Sequence, residues 1–114
     1  MEKWNYSFSD EVAINFCYDI ENKKITVGFN GYFDLITHEY KEVECLFVIE
    51  KWLDAKSKVD DNIRFYDLDK HMGIFSLILY MKREEDFIEL LVNTIDERYI
   101  TLRFKDPTMS LLEK

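Results

Sequence analysis

Strand-length runs in which every second residue is apolar, with little to interrupt them, constrain this chain more than any other feature. Residues 12–20 place Val12, Ile14, Phe16, Tyr18 and Ile20 at alternate positions. That is the period of a strand with one face on a core and the other in water. The chain has only 3 Gly and 1 Pro in 114 residues, so short charged turns rather than glycine loops separate the runs. Apolar residues make up 47% and aromatics 16%, enough to bury a core and to exclude a disordered chain. The expectation is one mainly β domain over 1–114, with α+β as the alternative. It takes the form of a single antiparallel sheet of about six or seven strands, curled or sandwich-like, with at most one short helix.

Residues 4–8 read as a first strand, and 12–33 as an antiparallel hairpin with a four-residue polar connection, together the N-terminal strands of 1–34. Gly28 and Gly31 mark a bulge or a close backbone approach there. Segment 40–49 reads as a strand passing from an exposed edge into a covered region. Residues 50–58 fit neither period and are left open between a strand extension and a short helix. Residues 59–62 read as a loop and 64–73 as irregular. The most apolar run, 74–81, is expected as the central strand of the sheet. With 87–94 and 99–104 it makes a C-terminal meander over 74–104, a helix being the alternative for 87–92. Pro107 ends the last strand, and 109–114 is expected as a loosely docked tail. The predicted core draws on Ile14, Phe16, Val27, Phe29, Phe47, Ile49, Ile78, Leu90 and Leu102.

Charge narrows the partners. Against 15 Lys+Arg stand 23 Asp+Glu, a formal charge of −8 that repels phosphate backbones and anionic membrane surfaces. Neither nucleic acid nor a membrane is an expected partner, whereas a basic protein surface is attracted. Cys17 and Cys45 form no CxxC or zinc-type cluster, and both read as buried thiols in apolar strand contexts. The N-terminal residues lack the apolar stretch of a secretory signal and no segment approaches the length of a membrane span, so a cytoplasmic location is expected.

The best chemical candidate is Asp67-Leu68-Asp69-Lys70-His71, whose carboxylates and imidazole share one face if the segment is extended. Such a face suits a divalent metal or a base paired with a histidine, and a metal-dependent enzyme using Asp67, Asp69 and His71 is the less favoured alternative. Aspartate in a turn more often bonds its own backbone. His38, beside Glu39 and Glu42, reads as a solvated loop histidine. No GxSxG elbow occurs, and Cys45 lacks a neighbouring cation that would favour thiolate. No catalytic residue, metal or cofactor is therefore expected. Alternating aromatics usually build a core, with a small-molecule cavity as the other use. Tyr32, Tyr40, Trp52 and Tyr66 are expected to include exposed members. Carboxylates beside exposed aromatics suit a protein-binding face, assigned to Glu39, Tyr40, Glu42, Asp60, Asp61, Tyr66, Asp67 and Asp69. A homodimer through an unpaired edge such as 4–8 is a further possibility.

Three stretches carry a resemblance: Phe29-Asn30-Gly31-Tyr32-Phe33-Asp34, Tyr40-Lys41-Glu42-Val43-Glu44-Cys45 and Ile49-Glu50-Lys51-Trp52-Leu53-Asp54-Ala55. In these, and in length, acidity and β-rich patterning, the chain resembles the small acidic immunity proteins of bacterial polymorphic and contact-dependent toxin systems. The resemblance implies a cytoplasmic antitoxin that binds one cognate toxin domain, often a nuclease, and blocks its active site or an essential surface. It carries no residue-by-residue assignment.

Overall fold

Alternation builds strands, and the pairing of those strands, both with sequence neighbours and with distant segments, builds the sheets. The structure is a computed structural model and describes residues 4–9, 11–59 and 64–114. In chain order its elements are β1 (Tyr6–Ser7), β2 (Asn15–Asp19), β3 (Lys24–Phe29), β4 (Tyr32–Asp34), β5 (Glu39–Lys41), β6 (Cys45–Glu50), β7 (Asp54–Val59), β8 (Tyr66–Asp67), the single helical turn α1 (Leu68–His71), β9 (Phe75–Glu84), β10 (Phe87–Thr94), β11 (Tyr99–Lys105) and β12 (Thr108–Glu113). They form three antiparallel sheets, ordered β1-β4-β5, β8-β7-β11-β10-β9 and β12-β6-β3-β2.

The mainly β expectation holds, but the single sheet of six or seven strands does not. The predicted strands 25–33 and 40–49 each break in two. The chain leaves β3 at Asn30–Gly31, and β4 and β5 turn aside with β1 into a small sheet of their own. Gly31 permits this crossing. A Cβ there would lie 2.9 Å from the Lys41 carbonyl oxygen and against the Tyr40 hydroxyl, so only glycine fits without a shift. The open segment 50–58 resolves as β7 from Asp54 onward, and the helical turn lies instead at 68–71. Residues 60–63, most of the predicted loop, lie outside the described residues.

The meander is present as β9, β10 and β11, yet the run expected at the centre of the sheet forms its edge. Centrality falls to β11, because β11 pairs with the distant β7 (Leu102 opposite Ser57) as well as with β10, the strand just before it (Leu102 opposite Leu90). The apolar run of β9 faces partly inward through Phe75 and Ile78, while Leu79 and Tyr80 stay exposed. Residues 109–114 are likewise no loose tail. Met109 pairs opposite Ile49 and Leu111 opposite Phe47, so β12 completes the four-stranded sheet, and Pro107 is buried in the turn that precedes it.

Buried side chains from both large sheets form one hydrophobic cluster, joined by Tyr32 of the small one. In the five-stranded sheet the inward row reads Ile88, Leu90 and Val92 on β10 and Phe104, Leu102 and Ile100 on β11. From the four-stranded sheet come Ile25, Val27, Phe29, Phe47 and Ile49. The predicted core is buried except at two positions. Phe16 is half-buried against Phe75, with ring centroids 4.7 Å apart. Ile14 is 44% exposed because it precedes β2, an edge strand with core on one side only. Cys17, on that same edge, is exposed rather than buried; Cys45 is buried.

The outer face of the five-stranded sheet carries a row of charged residues of both signs across its strands. Asp67 lies opposite Lys56, Lys56 opposite Arg103, and Arg103 opposite Glu89, which faces Lys82. Lys56 reaches Asp67 at 3.2 Å and Arg103 reaches Glu89 at 2.9 Å. The turns are made with almost no glycine: Lys23, Lys51, Glu85, Glu97 and Asp106 adopt φ between 44° and 63°. Each such residue carries a cost of about 1–2 kcal/mol relative to a relaxed backbone. Among the described residues no helix is long and apolar enough to cross a membrane.

Candidate functional site

Ser57 occupies an inward position of β7 in a row that is otherwise apolar, and it is fully buried. A hydroxyl there requires partners. It finds them in the carbonyl oxygens of Asp67 and Leu68, to which it donates at 3.0 and 3.1 Å. Those bonds pin β8 and α1 to the sheet, put Leu68 into the core at 5% exposure and leave Asp67 and Asp69 outside.

The turn of helix changes the reading of Asp67, Asp69 and His71. Residues two apart share a face in a strand but diverge by about 200° in a helix. The three side chains accordingly go separate ways. Asp67 pairs with Lys56, Asp69 accepts a hydrogen bond from the Tyr18 hydroxyl, and the His71 ring stands edge-on to Tyr66 with centroids 5.4 Å apart. The His71 Nε2 atom is buried without a partner among the described residues. No group of three His, Cys, Asp or Glu side chains placed to hold a metal occurs among the described residues.

Asp67 and Asp69, with Leu68 between them, form one wall of an open recess of about 280 Å³, which His71 does not line. Trp52, Leu53 and Asp54 make a second wall; Tyr18, Ile20 and Lys23, from the β2–β3 hairpin, make a third. Leu53 is 68% and Ile20 60% exposed, so the acidic rim carries two unburied aliphatic side chains. Lys56 lies 3.2 Å from Asp67 and 3.9 Å from Asp54, and the two carboxylates raise its pKa, Asp67 through its hydrogen bond most of all. Burial, and then the bond to Asp69, push the Tyr18 phenol well above its ordinary range, so it remains a donor to that carboxylate.

The remaining nominated residues fall elsewhere. Glu39 and Tyr40 on β5, and Glu42 just beyond it, are exposed, and Tyr40 donates to Glu11. They lie past the C-terminal end of β3, whereas Tyr18, and with it Asp69, pairs opposite Ile25 at the start of that strand. At a rise of about 3.3 Å per residue the two patches stand on the order of 15 Å apart. Tyr66 is half-buried, and Asp60 and Asp61 lie outside the described residues. Trp52 and Tyr32, expected among the exposed aromatics, are buried. Trp52 packs on Phe104 at 5.0 Å, and the Tyr32 hydroxyl donates to Glu113 across the seam between β4 and β12. Sequence reasoning missed Tyr18, Ile20, Leu53 and Asp54 as neighbours of Asp67 and Asp69. Their only signal was the loss of period near 51–54 and an isoleucine set against a polar turn.

A second depression, of about 440 Å³, opens between β1 and β9. Its walls are Trp4, Tyr6 and Phe8 on one side and Ile78, Leu79 and Met81 on the other, with Leu35 and Ile88 also lining it and Arg83 as the charged member. Burial pushes the Cys45 thiol pKa up, away from the reactive thiolate.

No protein-family model, no curated protein and no solved structure matches this chain.

Proposed function

We propose that this protein is a non-catalytic protein-binding domain that acts as an immunity protein, neutralising a basic toxin domain by capturing one of its cationic side chains in the acidic recess. The observation that carries this reading is the meeting of Asp54, Asp67 and Asp69 around one depression rimmed by exposed Leu53 and Ile20, on a chain of net charge −8. Carboxylates give such a face orientation and steering, and neighbouring apolar side chains give it area. Lys56 offsets part of the charge of Asp54 and Asp67. Asp69, whose partner is the neutral Tyr18 phenol, is then the main acceptor for an incoming lysine or arginine.

The test is capture of the cognate protein from a bacterial lysate, with an acidic protein of similar size as the control, followed by titration of the purified partner. One stoichiometric basic partner is expected, inhibited in its toxic activity. The double variant Asp67→Asn/Asp69→Asn keeps the hydrogen-bond shapes and should bind it about tenfold more weakly, or about 1.4 kcal/mol, with a flatter salt dependence. Unchanged affinity in a folded double variant removes the recess from the interface.

A further inference from the structure

A strand normally presents alternate side chains to one face, yet four consecutive residues of β9, from Ile78 to Met81, border the β1–β9 cleft. A bulge is the cause. Tyr80 pairs opposite Leu91 and Ile78 opposite Val92, which leaves Leu79 as an extra residue without a counterpart. Bulges at sheet edges re-aim side chains. Here β9 is the edge strand, and Leu79 takes its place beside the aromatic wall that β1 and its flanks supply. The volume of about 440 Å³ falls in the range of small-molecule sites, roughly 300–1,000 Å³, and is of the size that buries a compact apolar body.

Polarity in the cleft is sparse and of one sign. Ser7 and Ser9 are engaged with each other, the Ser7 hydroxyl donating to Ser9 Oγ at 3.2 Å. Arg83 is the one charged side chain among the described residues that line it. Arg83 has a partner within the fold, but a guanidinium carries five N–H donors in a planar fork that suits a carboxylate. The net charge of −8 works against ligands with several negative charges and leaves a single anionic group on an apolar body as the matching chemistry. The wall also contains the Trp4 indole N–H, buried without an acceptor among the described residues.

We propose that the β1–β9 cleft binds a small apolar monocarboxylate, its acyl or aryl body between Trp4, Phe8, Leu79 and Met81 and its carboxylate on Arg83. This site is separate from the recess, and its occupancy does not depend on the toxin-binding reading.

The experiment uses the full chain with methyl-labelled methionine, titrated with octanoate, 3-phenylpropionate and, as the uncharged control, 1-octanol. Met81 lines the cleft while Met109 packs on the core from β12, so the two methyl signals report the site and its control. A saturable shift of the Met81 signal with at least one carboxylate is expected, with Met109 unmoved. Arg83→Gln should weaken that carboxylate at least tenfold and leave 1-octanol unchanged. Leu79→Glu, at a position 39% exposed and so tolerant of charge, should abolish carboxylate binding in a protein with native circular dichroism. No saturable shift at Met81 with either acid, or equal carboxylate affinity in Arg83→Gln, overturns the proposal.

Discussion

Trp52 and Trp4 stand in the two depressions and mark the difference between them. Trp52, in the recess, is 6% exposed and packs against Phe104 of the central strand. Trp4, in the cleft, is half-buried between Tyr6 and Phe47 at 5.1 and 5.2 Å, and its indole donor lacks an acceptor among the described residues. The recess therefore has a finished apolar floor with its charge on the rim. The cleft has unfinished apolar walls and, among the described residues that line it, Arg83 as its one charged side chain. A finished floor keeps its shape whether or not anything sits on it, whereas an unpaired donor and exposed Leu79 and Tyr80 leave stability to be gained from an occupant.

This contrast is most directly broken by truncating its two markers. Trp52→Ala should cost about 3–5 kcal/mol in urea unfolding, the usual loss for a buried tryptophan. Trp4→Phe removes the orphaned donor along with some area and should change stability by less than about 1 kcal/mol. Equal and large losses would show that the cleft wall is as fully packed as the recess floor. Ser57→Ala comes next. It strips the shared donor from the Asp67 and Leu68 carbonyls and should cost about 1–3 kcal/mol. Hydrogen exchange should accelerate over 66–71 and stay unchanged at β9 if Ser57 serves the recess alone.

Titration sharpens the comparison more gently. The Tyr18 pKa is raised by burial and by Asp69, so the unfolded chain ionises first on going alkaline. The contribution of this group is complete below pH of about 10, the ordinary tyrosine value, and is lost as pH rises from there. Tyr18→Phe should flatten the alkaline fall in urea midpoint. Glu89 behaves oppositely. Burial alone would raise its pKa, but hydrogen bonds from Arg103 and Tyr80 hold it below the ordinary range. Its contribution is present above pH of about 4.3 and is lost as pH falls. Arg103→Met should remove that part of the acid sensitivity. The smallest effect on the fold is expected from Lys56→Met, which breaks two solvent-exposed ion pairs and should leave the unfolding midpoint unchanged. It also unmasks Asp54 and Asp67, so affinity for a basic partner should rise.

Period was legible in the sequence and partnership was not. The hairpin of β2 and β3 and the meander of β9 to β11 join neighbours in sequence, so alternation and short polar turns were enough to find them. Nothing in the alternation of Met109 and Leu111 says that they pair with β6, and an apolar run looks alike at the centre of a sheet and along a cleft. Charge and polarity, not glycine, marked the turns: lysine and glutamate fill most of the left-handed positions that glycine usually takes. At the recess, Asp67 and Asp69 declared themselves by charge. Tyr18 and Asp54 joined them only through the fold, by a hydroxyl contact and a shared wall. The cleft left no local trace, because a bulge depends on the register of two strands and not on either one.

The return of β11 to β7 and of β12 to β6 also sets an order of events for a chain made from its N-terminus. β6 and β7 emerge early, but each waits for a neighbour encoded near the C-terminal end of this sequence. Until then each keeps one open edge, and the inward residues Phe47, Ile49 and Trp52 lack part of their cover. Such pairings across long stretches of chain are slow to form, since loop closure comes before the contacts that reward it. The charged residues along β7, Lys56 and Lys58 above all, then have a role before the native state exists: they discourage the waiting edge from pairing with another chain.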